Sequence, residues 1–194
     1  MNGGVMKRKG LCVRCLKRLK RWALLGPWLL LLCCLSCEQI DTTYSIITAY
    51  YVCSNVSIVP ELYTALHNPG QFCTIKNENG KFLFNGVARL NVSATDRYAL
   101  GLNGLIVGLP NIPEPGATVS VITCYDLCCR SCYEDRTITR QLSVDTDKGL
   151  ATCGKCGRTY NLNDQGIVCK GEAGKALYRY RVSYTPYTLV VNNR

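Results

Sequence analysis

Cys129-Arg-Ser-Cys132 and, 20 residues later, Cys153-Gly-Lys-Cys156-Gly157 frame a run Thr137-Ile-Thr-Arg-Gln-Leu-Ser-Val144, a turn Asp147-Lys-Gly149 and a return into Cys153. The run is rich in β-branched residues and the Asp-Lys-Gly is a turn composition, so the segment reads as a β-hairpin. A hairpin brings its ends together, which sets the two CxxC loops side by side. Two CxxC pairs at this separation match the spacing of a four-cysteine metal site. Two intervening residues let both thiolates of a loop face one ion while the loop's backbone N–H groups point at the sulfurs. Gly157 allows the positive φ often needed just after such a loop. The competing reading, disulfides or buried apolar cysteines, needs two CxxC pairs and a hairpin to coincide by chance.

Outward from this segment the pattern stays β. Short apolar runs recur at Ile46–Cys53, Phe72–Ile75, Lys81–Phe84, Gly104–Gly108, Thr118–Tyr125, Gly166–Cys169 and Leu177–Tyr184. They are separated by turn compositions such as Asn68-Pro-Gly70, Asn77-Glu-Asn-Gly80 and Asn163-Asp-Gln-Gly166. Only Pro60-Glu-Leu-Tyr-Thr-Ala-Leu-His67 reads as helix. Many short strands at this spacing predict an all-β fold, a small sandwich or barrel, over residues 46–194. The metal-binding subdomain is expected at about 124–169 in this reading of the cysteine spacing.

Val119 to Val182 resembles the Rieske iron–sulfur domain. Cys124-Tyr-Asp126-Leu-Cys-Cys129 matches the entry to that family's first ligand loop, and Cys153-Gly-Lys-Cys156-Gly157 its second. Tyr160, Leu162, Gly166, Gly171, Leu177 and Tyr180 match the closing pattern. The resemblance implies a small β domain carrying a rubredoxin-like (zinc-ribbon-like) two-loop metal-binding subdomain. A Rieske centre uses two cysteines and two histidines. Here Cys132 and Cys156 stand where histidines are expected, and the one histidine, His67, lies outside both loops as a helix-end surface residue. Glu172 replaces the family's late proline. What remains is a Rieske-like variant with four thiolates: Cys129, Cys132, Cys153 and Cys156.

Four thiolates suit zinc, a 2Fe–2S cluster or, third in order, a single iron. Zinc is favoured by the argument from compartment that follows; the resemblance points to 2Fe–2S. Cys124 and Cys128 are alternative ligands. The pleat forbids Cys128 and Cys129 from both facing the ion on an extended strand.

The N-terminus reads as a leader. Of the formal charge of +10, eight Lys and Arg residues between Lys7 and Arg21, with no acid before Glu38, account for all but +2. A basic run ahead of the apolar stretch Trp22–Leu35 is a signal-peptide order. The stretch is shorter than the roughly 20 residues of a membrane-spanning helix, and Gly26-Pro27 interrupts it. Cys34-Leu35-Ser36-Cys37-Glu38 resembles the lipobox of bacterial lipoproteins, which implies lipidation at Cys37. The expected organisation is a signal peptide over 1–36, a tether over 37–45, and a domain anchored by lipid in the periplasm or on the outer surface of a bacterium. The leader contains no adjacent arginine pair, so the chain is expected to cross unfolded and take its metal outside, where zinc is the easier ion. Once the leader is discounted no basic patch remains, so nucleic acid is not an expected partner.

Of 14 cysteines, nine lie beyond Cys37. Cys53, Cys73 and Cys169 are isolated and read as buried apolar residues, a Cys53–Cys73 disulfide being the alternative. No nucleophile–base motif or phosphate-binding glycine loop is present in the sequence, and Glu134-Asp135 reads as a solvated turn. The expected function is that of a binding or scaffold module with an unidentified protein partner. The alternatives are an electron carrier, with its docking face at Arg130-Ser131 and Gly154-Lys155, and a protein whose CxxC pairs cycle as disulfides.

Overall fold

The computed structural model describes residues 44–93 and 96–193, and the leader, Cys37 and most of the tether lie outside them. In chain order the described residues form β1 (Ala49–Cys53), α1 (Pro60–His67), β2 (Phe72–Glu78), β3 (Lys81–Phe84), β4 (Val87–Asn91), β5 (Ala99–Leu100), β6 (Leu105–Gly108) and β7 (Thr123–Asp126). There follow α2 (Arg130–Arg136), β8 (Ser143–Asp145), β9 (Leu150–Thr152), β10 (Thr159–Asn161), β11 (Ile167–Lys170), β12 (Arg179–Tyr180), β13 (Val182–Tyr184) and β14 (Leu189–Asn192). The fold is all-β in architecture, with three antiparallel sheets ordered β12-β7-β6-β2-β3-β4, β13-β14-β1-β5 and β11-β10-β9-β8.

Turn chemistry builds the long sheet. Asn79 and Gly80 have φ of 51° and 71°, and Asn85 and Gly86 have 49° and 83°. Positive φ at both central residues is the two-residue hairpin geometry whose twist matches antiparallel strands. The first pair joins β2 to β3 with Glu78 opposite Lys81, and the second joins β3 to β4 with Phe84 opposite Val87. α1 starts with proline at its first position, where the missing N–H costs nothing, and buries Leu62, Ala65 and Leu66. Glu61 in its first turn pairs with Arg89 of β4 at 2.5 Å. His67 ends the helix, stacked on Tyr63 and hydrogen-bonded through its ring nitrogens to Tyr63 O and the Tyr184 hydroxyl.

The central strands β2, β6 and β7 are buried on both faces, and the pleat sorts their side chains. Cys73, Ile75, Leu105, Val107 and Cys124 join a first core with β1, α1 and β14. Phe72, Ile106 and Tyr125 point the other way, into a second core with Leu127, Leu142, Ala151, Tyr160 and Leu162. Cys129 and Cys153 belong to this second core, and Cys132 and Cys156 pack against it.

Asp126 ends β7 fully buried. Its carboxylate accepts from the Leu102 N–H at 2.7 Å, the Cys128 N–H at 2.8 Å and the Tyr180 hydroxyl at 2.5 Å. Burial pushes the carboxyl above its ordinary range despite these donors. The cluster ties the start of the first cysteine loop to the 100–104 turn and to β12.

Several sequence expectations shift. The Thr118–Tyr125 run forms a strand only from Thr123, and Val119 and Val121 are exposed with no ladder partner to order the preceding residues. Residues 130–136 form a helix where none is expected, which puts Glu134 on α2 with Arg130, Lys175 and the Tyr178 hydroxyl as partners instead of on a solvated turn. The hairpin between the cysteine pairs is present, with Val144 opposite Ala151. Its first strand begins only at Ser143, because α2 and the residues after it consume the start of the run.

Candidate metal centre

The two cysteine loops come from different connections. Cys129 and Cys132 lie on the β7–β8 connection, Cys129 as the N-cap of α2 and Cys132 in its first turn. Cys153 and Cys156 lie between β9 and β10. There the Cys153 N–H donates to Arg158 O and the Gly157 N–H to Cys153 O, both at 2.9 Å, and Gly157 takes φ 72°. The Cys129 N–H donates to Arg140 O and the Leu142 N–H to Leu127 O, which closes the first loop onto the approach to β8. Packing of both loops into the second core sets the four cysteines against one another.

The four Sγ atoms lie within 4.8 Å of one another. Cys129 Sγ stands 3.6 Å from Cys156 Sγ, and Cys132 Sγ 3.8 Å from Cys153 Sγ. A single zinc ion bonded to four thiolates at about 2.3 Å separates the sulfurs by about 3.8 Å. The cluster therefore has the dimensions of a four-cysteine metal site. Cys129 and Cys153 are buried, while Cys132 and Cys156 are half-buried.

Neighbouring polar groups act on two of the four sulfurs. The Tyr160 hydroxyl lies 3.3 Å from Cys129 Sγ and 3.3 Å from Ser131 Oγ, and the Cys132 N–H also donates to Cys129. Burial pushes the Cys156 thiol up, but the Arg158 N–H and guanidinium, with the neighbouring sulfurs, more than offset it and bring it to about 7. The thiols of Cys129 and Cys132 are raised, chiefly by burial. A bound cation reverses that, since a coordinating thiol is deprotonated outright. Arg158 is held in place by donating to Glu172 O at 2.9 Å and Glu172 Oε2 at 2.7 Å.

The alternative ligands stand apart from the group. Cys124 projects from the opposite face of β7 into the first core. Cys128 is buried, with its sulfur 3.8 Å from Cys129 O. Cys53 and Cys73 are buried free thiols, so the disulfide is not formed, and Cys169 is an exposed free thiol instead of a buried one. It sits on β11, the edge strand of its sheet, with its sulfur 3.4 Å from Thr159 O. Arg130, expected at an exposed tip, is buried; it donates to Glu134 Oε1 at 2.7 Å and Ala176 O at 3.2 Å and lies over the Tyr178 ring. Helix α2 turns that side chain back along its own face, which leaves Gly154-Lys155 exposed without it.

Tyr160 enters the sequence reading only as part of the family pattern, and Arg158 does not enter at all. Both follow the second loop by two to four residues, a position whose meaning depends on β10 packing against the first loop. Tyr160→Phe is expected to weaken metal binding about tenfold, the usual effect of removing a partner hydrogen-bonded to a ligand. Competition with a chromophoric chelator measures it, and unchanged affinity would show the hydroxyl to be incidental.

Fold and site define an all-β protein with a four-cysteine cluster suited to a metal ion. No protein-family model matches the chain, and no curated protein matches it in sequence.

Proposed function

We propose that the four thiolates hold one zinc ion, which fixes the two loops of an exported, lipid-anchored, Rieske-like β module that acts by binding a protein partner. The observation that carries this reading is the separation of the sulfurs, all within 4.8 Å. A 2Fe–2S ring lies between its two pairs of ligands and holds thiolates of opposite irons more than about 5 Å apart. One ion at the centre of four sulfurs suits the distances better. Protein groups fill all four positions of such an ion, which makes the role structural. The leader's composition supports uptake of the metal after export, and so zinc. The Rieske-like reading is supported by two ligand loops that flank the β8–β9 hairpin, and by a tyrosine on the strand after the second loop.

One observation favours a second reading, a single iron acting as a one-electron centre. Cys132 and Cys156 are half-buried, which brings the centre within reach of a docking redox partner. Elemental analysis with a visible spectrum, on chain isolated from the exported fraction without oxygen, separates the two. One zinc per chain and no colour is the expected result. Iron with charge-transfer bands would assign the electron-carrier role, and no metal with few free thiols would leave a disulfide protein.

A further inference from the structure

β5 is too short to cover the edge of β1. The Asn193 N–H donates to Ala49 O at 2.9 Å, so Ala49, Tyr51 and Cys53 turn their peptide groups toward β14, and Tyr50 and Val52 turn theirs the other way. On that side Tyr50 meets Ala99, where β5 begins. Val52 is left with its N–H and C=O facing a space in which, among the described residues, no backbone group meets them.

That space is a cleft of about 610 Å³ between the end of β1, the 96–98 segment and the end of β4, a size that suits a small organic ligand. It opens from the first core, whereas the four cysteines lie at the second. Its wall is aromatic. Phe82 meets Tyr51 edge-on at 5.2 Å and Tyr98 edge-on at 5.1 Å between ring centroids, and Tyr98 is exposed. The rim carries amides and a carboxylate. Asn55 Oδ1 accepts from the Ser57 N–H at 3.1 Å, which leaves its Nδ2 as a donor. Asp96 Oδ2 accepts from the Ser93 N–H at 2.7 Å, which leaves Oδ1 as an acceptor. Asn91, exposed at the end of β4, adds a second amide. Asp96 and Arg97 are the charged groups among the described lining residues, and their charges cancel.

This combination narrows the ligand class. A strand of another chain needs a run of free peptide groups. Here β1 offers Val52 alone, since Ser54 O already accepts from the Thr188 hydroxyl at 3.2 Å. A wholly apolar molecule would strip water from the amides and the peptide group without replacing it. An ion finds no net charge to select it. A hydroxyl both donates and accepts, which suits a rim of mixed donors and acceptors, and the C–H face of a sugar ring suits an aromatic wall. We propose that the cleft binds a neutral saccharide, with a ring against Tyr98 and hydroxyls on the Val52 peptide group, Asn55, Asn91 and Asp96. The inference does not rest on the zinc reading, because no cysteine of the metal centre lines this cleft.

Saturation-transfer NMR on the full chain tests this, with maltotriose, cellotriose and tri-N-acetylchitotriose as probes. A blocked peptide, acetyl-Val-Tyr-Val-amide, is run beside them. At least one sugar is expected to bind saturably with Kd of about 1 mM or tighter, and the peptide is expected to be silent. Tyr98→Ala and Asn91→Ala, both at exposed positions, are each expected to weaken that binding about tenfold. The melting temperature of each variant checks its fold, and either variant alone suffices if the other fails to fold. Silence of all the sugars, binding of the peptide in their place, or parent-like affinity in a folded variant would each overturn the proposal. Zinc content is measured separately, so a chain without zinc that still binds sugar would sink the structural-metal reading and leave this one standing.

Discussion

Cys153→Ser is expected to lower the melting temperature by about 10 °C, or about 4 kcal/mol for a chain of this size, and to abolish any further effect of a chelator. Cys153 is 1% exposed and opens the second loop, so its sulfur is the link between β9 and the first loop. A serine oxygen is a poorer zinc ligand than a thiolate, and binding energy counts directly as folding energy when the site exists only in the folded chain. The wild type should fall by a similar amount when the metal is chelated. Cys169→Ser, an exposed position outside the cluster, should stay within about 0.5 kcal/mol of the parent. Calorimetry with and without chelator reads all of this. Identical melting of parent and Cys153→Ser in both conditions would remove the structural role.

Asp126→Ala is expected to cost a similar amount by a route that metal does not repair. The carboxylate is fully buried and accepts from the Tyr180 hydroxyl and from two backbone N–H groups, one in the 100–104 turn and one at the start of the first cysteine loop. Leaving buried donors unpaired costs about 1–3 kcal/mol each, so a loss of about 4 kcal/mol is expected even though the ionised carboxylate is itself held there at a desolvation cost. Excess zinc should leave the deficit in place, which separates it from the Cys153→Ser effect. A melting temperature within 2 to 3 °C of the parent, corresponding to about 1 kcal/mol, would show that water replaces the carboxylate.

The β character, the helix over 60–67 and the hairpin between the cysteine pairs follow from local signals, and those signals act locally in the fold as well. Asn79-Gly80 makes its turn because two residues with positive φ join twisted strands with little strain. Asn85-Gly86 is the same signal, and it alone could have placed β4, whose Val87, Ala88 and Arg89 are exposed and carry little apolar pattern. β5 and β12 have two residues each and leave no periodicity to read.

CxxC spacing by itself determined which four cysteines can share an ion, because two residues between ligands suit one face of a loop. Which cysteines are excluded, which two of the four are half-buried and which groups lie against the sulfurs were decided only by tertiary structure. Cys124 and Tyr125 are neighbours in sequence, yet the pleat sends them into different cores. Arg130 looks like an exposed tip until α2 folds it over Tyr178. Tyr160 and Arg158 reach the sulfurs because β10 pairs with β9 beneath the first loop. Spacing along the chain governs what one loop can do, whereas contacts between loops depend on strand order and register, which hydrogen bonds and burial set across the whole fold.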